Sequence, residues 1–363
     1  MRVGARGRRA GRRCTRHPGR QTPGRPAGPR RVDAPAGRGR IGRAGPARAH
    51  GAGAGRSPPD RPGLGRRPAP LPRRRRPHPA PDAPAYAPAV TPSELRALLR
   101  RHGLSPRRSL GQNFLIDQNL ARKLLDASGA GAGDLVLEAG PGAGALTEGL
   151  LERGCRVVAV ELDEGLADVL EARFGDAAGL TLIRGDCLAG KHALNPAALG
   201  ALGDEPFSLV ANLPYNAATP LLMTLLLDHP ACRSMWVTVQ KEVADRLAAG
   251  PGSRDYGEIS VVAQAVCDIR RVAVLPPACF WPQPKITSAM IGLVRRSEPR
   301  TADAHRLQAL CRALFSRRRK QIGSALRDAV RGRPWPEGVD PAARPETLTV
   351  EQLDALARLV EER

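Results

Sequence analysis

Nowhere in this 363-residue chain does an apolar run approach the ~18 residues that a membrane-spanning helix requires, and no secretory signal core is visible. No membrane association is therefore expected. The seven cysteines, at positions 14, 155, 187, 232, 267, 279 and 311, include no Cys-x-x-Cys pair and no histidine at zinc-ligand spacing, so no metal is expected. Cys155 and Cys267 lie inside apolar runs, where a buried free thiol is the simplest reading. Such cysteines suit a reducing compartment, and a cytoplasmic location is the expectation. Acidic residues are nearly missing from residues 1–90, which hold 23 Arg, no Lys, three Asp and no Glu. The remaining 273 residues carry 34 basic and 32 acidic side chains. The formal net charge of +22 thus describes the N-terminal tail, and any nucleic-acid surface on the rest must be a local patch.

Residues 1–90 are largely Arg, Gly, Pro and Ala with almost no aliphatic periodicity. Too little apolar surface is available there to offset ordering entropy, and the segment is expected to be disordered. Three origins stay open: a basic RNA-binding arm, an organellar transit peptide, or an upstream reading frame translated in error. Proline and glycine oppose the amphipathic helix of a transit peptide. The gap between Met1 and Met223 without another methionine favours the third, with a start at a non-AUG codon such as Val90.

From Thr91 the pattern changes. Thr91-Pro92-Ser93-Glu94 reads as an N-cap, a proline at the first helical position and an early acid, ahead of Leu95, Leu98 and Leu99. A helix is predicted over 117–128, then strands at 135–137, 157–160, 180–183 and 207–211, with amphipathic helices after the first two. Later strands are expected at 235–239, 259–263 and 289–294, the last closing the sheet. Beyond Pro299, Leu307, Leu310, Leu314 and Phe315 fall at helical spacing. This alternation predicts an α/β fold, a parallel sheet covered on both faces over 91–298, followed by a small α-helical domain over 299–363. Ligands of such sheets gather at the carboxyl ends of the strands. Four polar features fall there: the turn Glu138-Ala-Gly-Pro-Gly-Ala-Gly144, Glu161, Asp186 and Asn212.

The glycines allow a backbone to approach a ligand closely and expose the amides of a helix N-terminus. Their Gly-x-Gly-x-Gly pattern differs from the Gly-x-Gly-x-x-Gly of dinucleotide sites. Glu161 stands where an acid accepts hydrogen bonds from ribose hydroxyls, although a solvated acid at a helix start is the plainer alternative, one that Asp163 fits better. Asp186 suits an adenine amino group or, more plainly, a helix cap. Asn212-Leu213-Pro214-Tyr215 is more specific. The exocyclic amine of a base is a poor nucleophile because its lone pair is delocalised into the ring. Asn212 Oδ1 and a backbone carbonyl of Leu213 or Pro214 can accept its two N–H groups, favour pyramidalisation and aim the lone pair at an electrophilic methyl. Tyr215 offers a stacking face to a base that has left its helix or loop. A polar turn closing a strand is the bland alternative. With the glycine turn and two acids, the tetrad points to S-adenosylmethionine-dependent methylation of a nucleic-acid adenine.

The chain resembles the ribosomal-RNA adenine N6-dimethyltransferase family, most closely its small-subunit branch. The matching segments run in order from 105 to 326: Leu110-Gly-Gln-Asn-Phe-Leu115, Glu138-Ala-Gly-Pro-Gly142, Glu161-Leu-Asp163, Gly185-Asp186, Asn212-Leu-Pro-Tyr215, Gln240-Lys-Glu-Val243, Tyr256-Gly257, Phe280-x-Pro-x-Pro-Lys285 and Phe315-Ser-x-Arg-Arg-Lys320. The resemblance implies a Rossmann-like class I S-adenosylmethionine-dependent methyltransferase sheet. Asn113 and Leu115 would help hold the methionine end of the cofactor, Gly140 would lie beneath it, Glu161 would bind its ribose and Asp186 its adenine. Asn212, with Leu213, Pro214 and Tyr215, would handle the target base, and Asn212 would also contact the cofactor. Phe280 would be a second aromatic wall, a position that an ordinary core Phe fits nearly as well.

Family members transfer four methyl groups, two to each of two adjacent adenosines near the 3′ end of small-subunit (16S) ribosomal RNA, so the pocket must also admit a monomethylated amine. The implied partners are that RNA and the immature small ribosomal subunit, with the protein a monomer. Arg317, Arg318, Arg319 and Lys320, with Arg107, Arg108, Arg295 and Arg296, form the expected phosphate-binding face, and 299–363 the RNA-recognition domain; a charge run is commonly only a solvated helix face. Two departures stand out. The Asp186–Asn212 connection, with Lys191-His192 and Asn195-Pro196, is longer than the family's, and Ile322-Gly323-Ser324 replaces a more polar run. The rival functions are a large-subunit (23S) adenine methyltransferase conferring macrolide resistance, and a ribosome-assembly or transcription factor in which methylation is dispensable.

Overall fold

The computed structural model describes residues 91–190 and 193–361. The expected disorder of residues 1–90 and the conformation of Lys191 and His192 lie outside the described residues. α1 (Pro92–Arg101) opens on a reciprocal capping box, Thr91 accepting from the Glu94 amide while the Glu94 carboxylate accepts from the Thr91 amide. A single 3-10 turn, Arg108–Leu110, leads to β1 (Phe114–Leu115) and α2 (Gln118–Ser128), capped by Asp117. Strands and helices then alternate as β2 (Leu135–Ala139), α3 (Ala145–Glu152), β3 (Arg156–Glu161), α4 (Glu164–Phe174), β4 (Leu180–Arg184), α5 (Pro196–Leu202), β5 (Phe207–Asn212), α6 (Tyr215–Asp228) and β6 (Cys232–Gln240). α5 is started by Asn195, whose side chain accepts from two amides, so the long connection carries its own helix. Next come α7 (Lys241–Leu247), α8 (Glu258–Val266), β7 (Cys267–Leu275), β8 (Phe280–Trp281) and β9 (Ser288–Arg295). The C-terminal segment adds α9 (Ala304–Phe315), the single turns α10 (Ile322–Ala325) and α11 (Arg327–Val330), and α12 (Val350–Glu361).

Seven strands form one sheet in the order β4-β3-β2-β5-β6-β9-β7. From β4 to β6 neighbours are parallel; β9 runs antiparallel to both β6 and β7. The chain moves outward from β2 through β3 to β4, then returns to lay β5 on the other flank of β2. The topological switch point therefore lies between β2 and β5, where the connections diverge and leave a crevice. All five residues of β2 are buried, which is why Leu135-Val136-Leu137 is continuous rather than alternating.

Two expectations fail on the far side of the sheet. Residues 259–263 belong to α8, not to a strand. A five-residue apolar run has no period by which the two can be told apart, and the complete burial of Val261, Val262 and Ala263 suits either. The strand is instead Cys267–Leu275, an edge strand whose Asp268, Arg270 and Arg271 gave it no apolar signature. Nor does β9 close the sheet: it is inserted between β6 and β7, and its first six residues are buried accordingly.

One cluster of buried residues joins the sheet to the C-terminal helices, with Leu307, Cys311 and Leu314 of α9 and Leu353 and Leu356 of α12 packed in common with α6 and α8. A separate cluster sets Leu95, Leu98 and Leu99 of α1 against Phe114, Leu166 and Val169. β1 and β8 pair as a two-stranded ribbon, Phe114 opposite Trp281 and Leu115 opposite Phe280. Phe114 stacks on Trp281 with ring centroids 6.4 Å apart, and the Arg96 guanidinium lies 5.4 Å from the Trp281 ring. Cys155 and Cys267 are buried free thiols, as expected. Among the described residues no helix is long and apolar enough to cross a membrane.

Candidate active site

A cleft at the carboxyl ends of β2, β3 and β5 gathers Asn113, Leu115, Gly140, Glu161, Asp186, Asn212, Leu213, Pro214, Tyr215 and Phe280, all ten residues singled out for the cofactor and the base. The strand ends supply six of them, α6 begins with Tyr215, and the β1–β8 ribbon brings Leu115 and Phe280. Local geometry requires the glycines. Gly142 and Gly144 adopt φ of 63° and 87°, and a Cβ at Gly144 would stand 2.4 Å from Phe174 Cε2. Glu161 locks this turn: its Oε2 accepts the Gly142 amide at 2.9 Å and its Oε1 the Asp163 amide at 2.9 Å. Burial pushes the Glu161 carboxyl upward, and these amides pull the other way.

Glu138 stands in the sequence only as the first residue of the glycine turn; in the structure it lies near the end of β2. It is buried, lines the cleft and accepts from Thr147 Oγ1 at 2.7 Å. Burial raises its carboxyl to about 8; the Thr147 hydroxyl opposes the rise and the nearby Glu161 adds to it. Asp186 gives Oδ1 to the Leu188 amide at 2.9 Å, which leaves Oδ2 for a ligand. Among the described residues lining the cleft there are three acids and no Lys, Arg or His. That donor set fits S-adenosylmethionine, a cation bearing ribose hydroxyls and amino groups. A dinucleotide's pyrophosphate would find no cation to neutralise it.

At the Asn212–Tyr215 end of the cleft the side chains are held by specific partners. Asn212 Nδ2 donates to the Asn113 carbonyl at 2.9 Å, and Asn113 Nδ2 in turn donates to the Gly111 carbonyl at 3.0 Å. The Asn212 amide is thereby fixed with its oxygen as the available group. The Pro214 carbonyl already receives the Ala217 and Ala218 amides at 3.0 and 3.1 Å, in the first turn of α6. Of the two backbone acceptors weighed from the sequence, Leu213 is the one left open. The Tyr215 hydroxyl is hydrogen-bonded to Ser288 Oγ at 2.8 Å, and Ser288 is completely buried on β9. Phe280 lines the cleft and also belongs to a core cluster with Leu115. The loop before β1 is fastened through Asp163, which caps α4, accepts from Gln112 Nε2 at 3.1 Å and pairs with Arg107 at 3.3 Å. Ser288 carries no signal in the sequence and Gln112 stands there only within the Leu110–Leu115 segment, since each acts through a partner far along the chain.

The basic residues lie apart from the cleft. Arg317, Arg318, Arg319 and Lys320 occupy turns after α9 rather than a helix face. Arg317, Arg319 and Lys320 are exposed, but Arg318 donates to the Ser253 and Arg254 carbonyls at 3.0 and 2.5 Å and lies 3.8 Å from Glu346. Arg295 is also structural, its guanidinium donating to the carbonyls of Leu225, Leu226, His229 and Cys232 at the end of α6. Arg296 pairs with Asp268. Arg295, Arg296 and Arg318 of the expected phosphate-binding face are thus engaged within the fold, as Arg107 is with Asp163. Ile322 is fully buried against the C-terminal helices, which explains the apolar departure there. A second groove, walled by α6, α9 and residues 254–259, meets the cleft at Asp186, Leu188, Asn216 and Ala217.

A family profile described as ribosomal RNA adenine dimethylase matches residues 103–361. The ribosomal RNA small subunit methyltransferase A of Phenylobacterium zucineum (strain HLK1) is 43% identical over 268 residues, covering 72% of this chain and 91% of the relative. Its namesake from Geobacillus sp. (strain WCH70) is 38% identical over 285 residues, 75% of this chain and 97% of that one. Among solved structures, a dimethyladenosine transferase from Plasmodium falciparum aligns with a TM-score of 0.55 at 21% identity, covering 68% of this chain and 95% of its own. The 23S rRNA methyltransferase ErmE aligns with a TM-score of 0.51 at 23% identity, covering 69% and 100%. These two likenesses establish the Rossmann-like class I methyltransferase fold.

Proposed function

Because this chain belongs to the ribosomal RNA adenine dimethylase family, we propose that it dimethylates N6 of two adjacent adenosines near the 3′ end of small-subunit ribosomal RNA, with S-adenosylmethionine as methyl donor. Relatives at 38% and 43% identity bear the small-subunit name, whereas the likeness to a 23S enzyme, at 23% identity, speaks only to fold. The small-subunit reading therefore stands over the macrolide-resistance alternative. The observation that carries the chemistry is the Asn212 amide, held by the Asn113 carbonyl at the edge of an acid-lined cleft in which no described side chain is cationic.

When bound, the cofactor supplies an activated methyl group on a sulfonium, itself an excellent leaving group. Asn113 and Leu115 would hold its methionine end near the Gly140 backbone, Glu161 would take the ribose hydroxyls and Asp186 the adenine amine. Asn212 Oδ1 and the Leu213 carbonyl accept the two N–H groups of the target amine and draw its lone pair out of conjugation. Tyr215 and Phe280 flank the base, with Ser288 setting the Tyr215 ring. No side chain need act as a base, since the product ammonium is acidic enough to release its proton to water. In the second transfer the amine retains one N–H, for which a single acceptor suffices. Arg108, Arg317, Arg319 and Lys320 contact phosphates, and the helical 299–363 segment serves as the RNA-recognition domain beside the second groove. The substrate is the immature small subunit, which gives the protein its part in cytoplasmic ribosome biogenesis.

Mapping methylated adenosines in ribosomal RNA with and without the gene tests this reading. Purified protein is expected to modify immature small subunits; modification of naked large-subunit RNA alone would sink it. Asn212→Ala is expected to lower methyl transfer on the order of 10²–10³-fold. Near-normal turnover in that variant would remove Asn212 from the chemistry.

A further inference from the structure

The folded part of the chain is close to neutral, yet its positive charge is unevenly placed. Residues 91–110 hold five Arg against one Glu, which leaves 29 basic against 31 acidic side chains in residues 111–363. α1 turns its leucines inward and carries Arg96, Arg100 and Arg101 on its exposed side, with Arg108 exposed in the next turn. Its one acid, Glu94, is engaged in the capping box. Exposed arginines elsewhere, such as Arg156, Arg184 and Arg271, are paired with carboxylates. None of Arg96, Arg100, Arg101 and Arg108 has a carboxylate partner among the described residues. Arg96 and Arg100 lie one helical turn apart, where like charges oppose the helix unless an anion bridges them. The guanidinium fork suits phosphate oxygens.

The position of this face matters as much as its charge. Leu95 of α1 lines the cleft, and Arg96 sits over Trp281, the neighbour of the cleft-lining Phe280. α1 packs on α4, toward the β3–β4 side of the sheet, whereas the Arg317–Lys320 turn follows α9, which packs on α8. We propose that the outer face of α1, together with Arg108, grips backbone phosphates of the RNA strand flanking the target adenosine, a contact independent of the turn after α9. This rests on the rRNA-methylating reading above. An RNA that presents its base to the cleft would bring its neighbouring phosphates to the rim that α1 forms.

The test is Arg100→Gln and Arg101→Gln combined in the full chain, neither of which belongs to the cofactor or base pocket. The KM for immature small subunits is expected to rise about tenfold with kcat and cofactor affinity held, and the slope of log affinity against log salt to become shallower by about 1–2. An unchanged KM and salt slope would overturn the proposal. A second measurement replaces the exposed Ala97 with p-benzoylphenylalanine and maps the photo-crosslinks. Crosslinks are expected within a few nucleotides of the methylated adenosines; crosslinks only elsewhere, or none, would overturn it as well. Failure of the underlying reading has a different signature, a wild-type chain that leaves immature subunits unmethylated.

Discussion

Glu138 and Glu161 end two adjacent parallel strands, so the sheet forces two carboxyls into one dry corner. The Glu161 oxygens take two backbone amides, while Glu138 has the Thr147 hydroxyl. Glu138 is accordingly the one driven up to about 8. The native chain then holds a proton that the unfolded chain releases near the ordinary carboxylate value. The associated stability is fully present below that value and is lost as pH rises through about 8. Glu138→Gln removes this titration, so thermal melts between about pH 6 and 9 are expected to show a smaller loss of stability than in the wild type. An identical slope in both proteins would show that Glu138 does not change charge in that window. Residue identity at these positions was legible in the sequence; the division of labour was not, because it depends on which amide each oxygen meets.

Elements were legible where a period or a cap marked them. The Thr91–Glu94 capping box and the leucine spacing of α9 appear as read. α8 and β7 were not, since a buried helix of Val and Ala has no polar face, and an edge strand bearing Asp and Arg has no apolar run. Charge misled in the same way. Arg317, Arg318, Arg319 and Lys320 form one run in sequence, yet the turn after α9 sends Arg318 inward to the carbonyls of residues 253 and 254. Arg318→Met is therefore expected to cost about 1–3 kcal/mol in urea unfolding, for lost charged hydrogen bonds, and to leave the salt dependence of RNA binding unchanged. Arg319→Gln should do the reverse, with stability held and the salt slope reduced by about 1. If Arg318→Met lowers the slope and spares stability, the anchoring role is wrong.

Across the whole molecule, exposed large apolar side chains among the described residues are few and scattered: Leu162, Leu199, Val274 and Ile286. Among the described residues these side chains offer no core for an obligate dimer interface. Light scattering is therefore expected to give a mass near 38.6 kDa for the full chain, and a mass of twice that would contradict the monomer. The cleft and the second groove meet at four residues, so a bound RNA could lie along α6 with its base turned into the cleft. The near-neutral charge of residues 91–363 makes local placement of arginines, rather than net charge, the basis of RNA binding.

By itself the sequence determined the alternation of strands and helices, the glycine turn, the acids and the Asn-Leu-Pro-Tyr tetrad, because each is written in local composition and spacing. Only the tertiary structure decided that Asn113 orients Asn212, that Leu213 rather than Pro214 keeps an open carbonyl, and that Arg107, Arg295, Arg296 and Arg318 find partners within the fold. Those outcomes are set by contacts between segments as much as 99 residues apart, and no local pattern records which partner a side chain will find.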